Sequence, residues 1–287
     1  MATIKNPIEW SGAQLVHVFH ALGFFGHSLH HIEETVRAAP PQIRRIGFGD
    51  VEDAIRRGFE DFKAYRTDVI VVGFIYAVVG LVLARLTFSR NIVPLLFPLA
   101  SGFAIVGPIA ALGLFEMSRR RELGAPVRWA NGVQLVREPA FGSVVALAAV
   151  LIALFLAWLA AAWLIYKATL GPAMPSTTAA FVHDIFATHA GHVMIVVGLG
   201  AGLVFALLAM TISVVSFPLL IDRDVGFNTA VATSAAAVWR NPLVMAGWGA
   251  VVAASLVVGS LPFFVGLAVV FPVLGHATWH LYRKLVV

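Results

Sequence analysis

Six long apolar blocks constrain this chain more than any other feature of its sequence. Each block is close to the roughly 20 residues that an α-helix needs to cross about 30 Å of hydrocarbon. Runs of this length are typical of transmembrane helices. The sequence therefore predicts six spans, at residues 69–86, 96–117, 142–166, 193–217, 242–259 and 262–282.

The composition agrees with a membrane protein and narrows its chemistry. About 60% of the 287 residues are hydrophobic and 12% are charged, whereas a soluble domain carries roughly 25% charged residues. The chain has no cysteine, which excludes disulfides, thiolate metal sites and cysteine nucleophiles. We therefore expect an all-α, polytopic membrane protein.

The basic residues predict the orientation of the chain. Of the 20 Lys and Arg residues, all but Arg85, Arg90 and Lys167 fall in the N-terminal arm, the second and fourth loops, or the C-terminal tail. The positive-inside rule then places both termini in the cytoplasm. Glu9 and the histidines from His17 onward interrupt any signal-peptide core, so we expect no cleaved leader. This charge bias needs no nucleic-acid partner.

Two sets of residues recur at fixed offsets and indicate internal repeats. A shift of 164 residues matches six positions of segment 98–120 with segment 262–284. The pairs are Pro98/Pro262, Gly102/Gly266, Ala104/Ala268, Val106/Val270, Pro108/Pro272 and Arg119/Arg283. A shift of 174 residues pairs Tyr65-Arg66 with Trp239-Arg240. The predicted unit is an amphipathic juxtamembrane helix followed by a membrane hairpin, and three such units would contain all six spans.

Two shorter helices are predicted at the membrane surfaces. The first covers residues 50–66, with Asp50 as its N-cap. Its apolar side would lie along the cytoplasmic interface and contains Val51, Ile55, Phe59, Phe62 and Tyr65. The second is a short amphipathic helix at residues 178–186, in the largest extracytoplasmic loop.

The segment 8–37 is predicted to form a separate amphipathic helix. Its apolar residues follow a spacing of three and four, which makes one narrow helical stripe: Leu15, Val18, Leu22, Phe25, Leu29, Ile32 and Val36. Glycines within the helix weaken it, so it needs a surface to fold against. We divide the chain into this cytoplasmic, histidine-bearing region (1–43) and a membrane domain (44–287). The helix is expected to dock on a membrane-protein partner or on a second copy of the chain.

The polar side of this helix carries a candidate metal site. His27 and His31 lie one turn apart, and Glu34 follows on the same face. Such a set can supply three ligands of a zinc ion, and imidazole also binds haem. The spacing favours the simpler explanation that these histidines line the polar side of a helix on the membrane or on a partner helix.

Two other histidine groups allow the same two interpretations, a metal or haem site and a purely structural role. His276 and His280 are one turn apart near the cytoplasmic end of the last block and are candidates for haem or cofactor binding. They would otherwise form hydrogen bonds at the membrane interface. In the extracytoplasmic loop, His183, His189 and His192 could bind zinc or copper. A divalent metal or haem is thus the cofactor that these patterns suggest.

From about residue 43 to its end, the sequence resembles a bacterial family of predicted integral membrane proteins with a domain of unknown function. The resemblance rests on segment 102–120, on segment 213–218 with Asp222-Arg223-Asp224, and on segment 275–283. It implies a multi-pass protein of the bacterial inner membrane with no established activity. Some members are labelled cytochrome c oxidase subunit I, but that subunit needs about twice as many helices and histidine ligands deep within them.

No catalytic motif accompanies these features. Phosphate-binding loops, nucleophile elbows and metalloprotease helices are missing from the sequence, and no predicted span has a carboxylate or lysine near its middle. We therefore expect a non-enzymatic membrane subunit, scaffold or assembly factor. The alternatives are a channel or carrier for a small neutral or lipidic solute, suggested by the repeats and prolines, and a metal- or haem-binding accessory protein of a redox complex.

Overall fold

The computed structural model describes residues 41–89, 93–127, 140–171, 175, 177–262 and 264–287. The elements in these ranges are helices: α1 (Phe48–Ser89), a 3₁₀ turn (Val93–Leu95), α2 (Leu96–Ala110), α3 (Leu112–Glu122), α4 (Phe141–Thr169), α5 (Thr178–Ala187), α6 (His189–Ser213), α7 (Ser216–Asp222), α8 (Phe227–Arg240), α9 (Pro242–Ser260) and α10 (Leu267–Leu285). The all-α prediction is confirmed for this part of the chain. The predicted N-terminal helix at 8–37 lies outside it.

Three helical segments in the described ranges are long and apolar enough to cross a membrane: α4, α6 continued by α7, and α9. A fourth candidate combines Val93–Gly102 with Ala104–Ala110, which are bent by 42°. These segments match the spans predicted at 142–166, 193–217, 242–259 and 96–117. The span predicted at 69–86 falls in the second half of α1, and the one at 262–282 falls on α10, which is not among the candidates. The count of six is therefore not confirmed.

The first half of α1 packs against α10 in antiparallel orientation. Tyr65 interrupts the α-helical backbone with φ −119° and ψ 20°, so α1 consists of two helices joined at a kink. Val51, Ala54 and Phe62 are buried in the core. The face that the sequence placed along the membrane interface is therefore largely covered by protein, although Phe59 stays 42% exposed.

The helix also begins earlier than predicted. α1 starts at Phe48, and Asp50 lies in its first turn. The Asp50 carboxylate accepts a hydrogen bond from the Gly47 N–H at 2.9 Å. An acidic side chain in the first turn is favourable at the positive end of a helix dipole. Asp50 therefore stabilises the start of the helix, but it is not the N-cap residue.

The apolar helices α2 and α6 pack against α4. Leu147 and Leu151 are fully buried, and the Trp158 indole N–H donates to the Pro98 carbonyl at 3.1 Å. Trp158 also stacks near Phe205 of α6, with 5.6 Å between ring centroids. At the far end of α4, α5 starts at the Thr177 cap, whose hydroxyl accepts from Ala180 N–H at 3.1 Å. Its bounds agree with the helix predicted at 178–186.

The start and end of the described chain are joined by backbone hydrogen bonds. Ile43 and Val286 form an isolated antiparallel bridge, and Arg44 N–H donates to the Leu285 carbonyl at 2.8 Å. The buried Asn241 side chain then accepts from Ile46 N–H at 2.9 Å and donates to the Arg44 carbonyl at 3.1 Å. We call these contacts the terminal clasp.

Candidate functional site

Asp61 is the centre of a buried polar cluster between α1, α3 and α10. Its Oδ2 accepts hydrogen bonds from Ser118 Oγ at 2.6 Å and from His280 Nε2 at 2.9 Å. Its Oδ1 accepts from Arg121 Nη1 at 2.5 Å. The residue is only 4% exposed, so its negative charge is stabilised by these donors rather than by water.

Two glycines bring the three helices close enough for these contacts. A Cβ on Gly58 would lie 2.6 Å from the backbone nitrogen of Ala277, and a Cβ on Gly275 would lie 2.5 Å from Leu114 Cδ1. Asp61 follows Gly58 by one helical turn, and His276 follows Gly275 directly. The close backbone approach therefore places the carboxylate and the imidazole at the same level of the α1/α10 contact.

The Ser118 hydroxyl fixes the tautomer of His276. A hydroxyl has one proton, and the 2.6 Å contact assigns that proton to the bond with Asp61. Ser118 Oγ then accepts from His276 Nδ1–H at 2.8 Å, so the neutral ring carries its lone pair on Nε2. That nitrogen is buried and has no hydrogen-bond partner within the described residues.

Ser118, His276 and Asp61 are the residue types of a hydrolase triad, but their geometry differs from one. In such a triad the imidazole lies between the acid and the serine. Here the serine lies between the acid and the imidazole, and it is only 1% exposed. The hydroxyl donates to the carboxylate and no base of the cluster withdraws its proton toward a ligand, so the cluster favours a structural role over nucleophilic catalysis.

The pKa of Asp61 reflects opposing effects. Burial raises the pKa of the carboxyl, but hydrogen bonds from His280 and Ser118, helped by the nearby imidazoles, hold it below its usual value. The residue lies in the first half of α1, outside the candidate membrane spans. Asp61 is therefore ionised at neutral pH, and its charge is paired with Arg121.

A second polar cluster joins α10 to α3 and α7. Tyr282 Oη donates to Asp222 Oδ2 at 2.6 Å. Arg283 donates to Glu122 Oε1 at 3.0 Å and to Asp222 Oδ2 at 3.3 Å. Charge-assisted bonds of this kind are stronger than neutral ones. Together, the two clusters hold the first half of α1, α3, α7 and α10 as one unit, which we call the charged layer.

A cleft of about 410 Å³ opens into the charged layer beside Asp61. Each of three helices supplies three of its lining residues: Arg57, Glu60 and Asp61 from α1; Ser118, Arg121 and Glu122 from α3; and His280, Arg283 and Lys284 from α10. We call it the three-helix cleft. Its volume is within the range of small-molecule sites.

Comparison with known protein families gave a match over part of the chain. Residues 95–222 match a family described as predicted integral membrane protein (DUF2189). The protein is thus a multi-pass integral membrane protein with a domain of unknown function. Comparison with curated proteins and with solved structures gave no match.

The DUF2189 segment covers α2 to α7 and contains only part of the site. Ser118, Arg121 and Asp222 lie within it, whereas Asp61 and the residues of α10 lie outside. The predicted resemblance to a family of integral membrane proteins is confirmed over residues 95–222, a range narrower than the predicted one. The quoted segments 102–120 and 213–218 fall inside the match, and segment 275–283 falls outside.

The structure brings together one of the predicted histidine pairs. His276 and His280 lie in the Asp61 cluster, where both rings form hydrogen bonds to side chains of other helices. Their role in cofactor binding stays a prediction. His27, His31 and Glu34 lie outside the described residues.

The loop histidines are not assembled into a metal site by the described contacts. His183 and Asp184 lie on α5 with 3.6 Å between Nδ1 and Oδ1, and His192 Nε2 lies 3.0 Å from the Phe186 carbonyl. His189 begins α6. Among the residues that the structure describes, no three His, Asp or Glu side chains are grouped so as to hold a metal ion.

Sequence reasoning missed Asp61, Ser118 and Arg121. A signal for Asp61 was present, because it follows Val51, Ala54 and Gly58 at helical spacing on the buried side of α1. A carboxylate on an apolar helical stripe is rarely buried without a partner. The partners come from segments 57 and 219 residues away in the chain, and no local pattern reveals them.

Proposed function

We propose that this protein is a non-enzymatic membrane scaffold or assembly factor that presents its N-terminal arm to a membrane partner. The observation that carries the proposal is the closed pairing of the Asp61 cluster. Its acid, its hydroxyl and its two imidazoles bond to one another, and the serine and His276 are shielded from solvent. Such a cluster fixes helix positions and offers no exposed nucleophile.

The terminal clasp supports a presenting role for the arm. Residues 42–44, at the end of the arm, are bonded to residues 285–287 by two backbone hydrogen bonds of 2.8 and 3.0 Å, which form the Ile43/Val286 bridge. Asn241 adds two side-chain bonds to the same segment. The C-terminal end of the arm is therefore fixed to the charged layer. This attachment lowers the entropy cost of binding a partner through the arm.

The proposal includes the finer topology that the sequence predicts. The protein would lie in a bacterial inner membrane with six spans, arranged as repeated helix-plus-hairpin units, and with both termini in the cytoplasm. The excess of basic residues on one side supports the orientation. Accessibility of single cysteines placed at Lys63 and at Lys167, on opposite sides in this scheme, tests it directly, and labelling of both from the same side would contradict it.

Site-specific crosslinking tests the scaffold function. A photo-crosslinker at Leu22, on the apolar stripe of the arm, should join the full-length protein to one defined partner or to a second copy in intact membranes. The same group at the exposed Glu52 of α1 serves as the control position. Deletion of residues 1–40, which keeps the clasp, should remove the partner from the purified protein. Retention of every co-purifying partner after this deletion would rule out the arm as the docking element.

A carrier for a small solute is the second candidate, and the bent helix pair favours it. Val93–Gly102 and Ala104–Ala110 meet at 42°, and a Cβ on Gly102 would overlap the ring of Phe155, at 2.0 Å from Cε2. Broken spans line the substrate sites of many transporters. Uptake of a neutral solute into proteoliposomes, lost in Gly102→Leu, would favour a carrier over the scaffold.

A further inference from the structure

The accessible charges of the three-helix cleft are mainly positive. Four basic side chains line it, and they are between 31% and 49% exposed: Arg57, Arg121, Arg283 and Lys284. The two accessible carboxylates are Glu60 and Glu122. Asp61 lies at the floor, where its own donors surround it. A ligand entering the cleft therefore meets four basic side chains, each of which also contacts a carboxylate of the charged layer or of Asp53.

The two accessible carboxylates are also partly neutralised by their neighbours. Glu60 pairs at 2.8 Å with Arg56, which does not line the cleft. Glu122 accepts from Trp279 Nε1 at 3.2 Å and from Arg283 Nε at 3.0 Å. Their repulsion of an anion is weakened by these contacts.

The basic groups come from all three walls and retain donor capacity. Arg57 and Lys284 both contact Asp53 at 2.9 Å, on the wall formed by α1 and α10. Arg121 donates through Nη1 to Asp61 at the bottom of the cleft. A guanidinium has five N–H donors, so others remain for a ligand. Arg121 can thus bond to Asp61 and to a ligand above it at the same time.

From this arrangement we propose that the three-helix cleft binds a phosphate ester. A tetrahedral phosphate accepts hydrogen bonds in several directions, which fits basic side chains on three walls, and arginine binds its oxygens in a bidentate manner. The cleft volume of about 410 Å³ leaves room for an organic substituent beside the phosphate. The phosphate would lie above Arg121, between Arg57 and Arg283.

Two sources of this group are compatible with the position of the cleft. Outside the cleft, α1 carries the exposed Glu52 and Arg56, and such charges face water or lipid headgroups rather than acyl chains. A soluble phosphate ester could enter from the water, and a lipid headgroup could enter from the membrane surface. The chemistry of recognition is the same for both.

Binding to the full-length protein in nanodiscs distinguishes these sources. Glycerol 3-phosphate is titrated against protein in phosphatidylcholine nanodiscs by calorimetry. In the second arm, the melting temperature is compared between phosphatidylcholine and phosphatidylglycerol nanodiscs. The test variant is Arg57→Gln/Arg283→Gln. The matched control is Arg45→Gln/Arg240→Gln, which removes the same charge from exposed residues that do not line the cleft.

A soluble ligand is indicated if glycerol 3-phosphate binds the wild type and the cleft variant weakens that binding at least about tenfold, with less than about a twofold change in the control. A lipid ligand is indicated if only phosphatidylglycerol raises the melting temperature, and if the cleft variant loses this shift while the control keeps it. The proposal is overturned if neither probe affects the wild type, or if the control loses as much as the cleft variant. Should the double variant not purify, Arg57→Gln against Arg45→Gln gives the same comparison.

Discussion

The charged layer and α6 differ in what surrounds their small residues. In the charged layer, a Cβ on Gly58 would overlap the backbone of Ala277, and a Cβ on Gly275 would meet the Leu114 side chain at 2.5 Å. In α6, a Cβ on Gly198 or Gly200 would meet nothing within 4 Å among the described residues, and few side chains of that span are buried against protein. The charged layer is therefore held by protein contacts, whereas α6 relies on lipid or another chain to cover it. Substitutions in the charged layer should therefore lower the free energy of unfolding more than substitutions on the uncovered face of α6.

Removal of the Asp61 carboxylate should have the largest effect. Asp61→Ala leaves Ser118 and His280 without their acceptor in the buried cluster, and each buried polar group left unpaired costs about 1–3 kcal/mol. The free energy of unfolding in detergent micelles measures this loss. Glu60→Gln, on the exposed side of the same helix, should change it by less than about 0.5 kcal/mol. Equal effects of the two variants would show that the cluster does not hold the layer.

Gly58→Ala should cause the second-largest loss in the free energy of unfolding. Its Cβ would meet backbone atoms of Ala277 at 2.6–2.8 Å, which cannot rotate away, and overpacking costs about 1–3 kcal/mol. Gly113→Ala in α3 is the matched control, since nothing described lies within 4 Å of its Cβ. The free energy of unfolding of that control should rise by up to about 1 kcal/mol, because alanine has a higher helix propensity than glycine. Stability of Gly58→Ala equal to that of the wild type would contradict the close α1/α10 contact.

Acid should selectively loosen the charged layer. Because the pKa of Asp61 is lowered in the folded protein, its contribution is complete well above the usual value of about 4 and is lost as pH falls through the lower folded pKa. The melting temperature of the wild type should therefore drop more between pH 6 and pH 3 than that of Asp61→Asn. Parallel curves for the two proteins would exclude this residue as the source of acid sensitivity.

The smallest effect is expected from Gly198→Leu in α6. A side chain there meets no described protein atoms, so the free energy of unfolding in detergent should change by less than about 0.5 kcal/mol. Gly202→Leu is the contrast, because its Cβ would already lie 3.3 Å from Trp158 Cη2. A large loss in Gly198→Leu in membranes, but not in detergent, would reveal a second chain against this face of α6.

The apolar helices were predictable because span length is a local property. The blocks predicted at 142–166 and 242–259 coincide with α4 and α9, since hydrocarbon thickness sets the length of any helix that crosses it. The helix predicted at 178–186 was equally local, with Thr177 as its cap. The repeats and the six-span count stay predictions.

The site was predictable only in part. The pairing of His276 with His280 on one face followed from helical spacing, and both rings form hydrogen bonds, which was one of the two predicted roles. Asp61 and Ser118 were missed because their partners come from distant segments. The apolar side of residues 50–66 was correctly located, but its partner is largely α10 rather than the membrane surface.

The sequence by itself determined that this is a helical membrane protein, because the transfer of long apolar runs out of water depends on composition and length and not on what lies beside them. The tertiary structure alone decided which helices meet, that Asp61 is buried among Ser118, Arg121 and His280, and that a polar cleft opens beside it. Burial of a charge is tolerated only where several donors converge in three dimensions, and that convergence depends on helix contacts which no local stretch of sequence specifies.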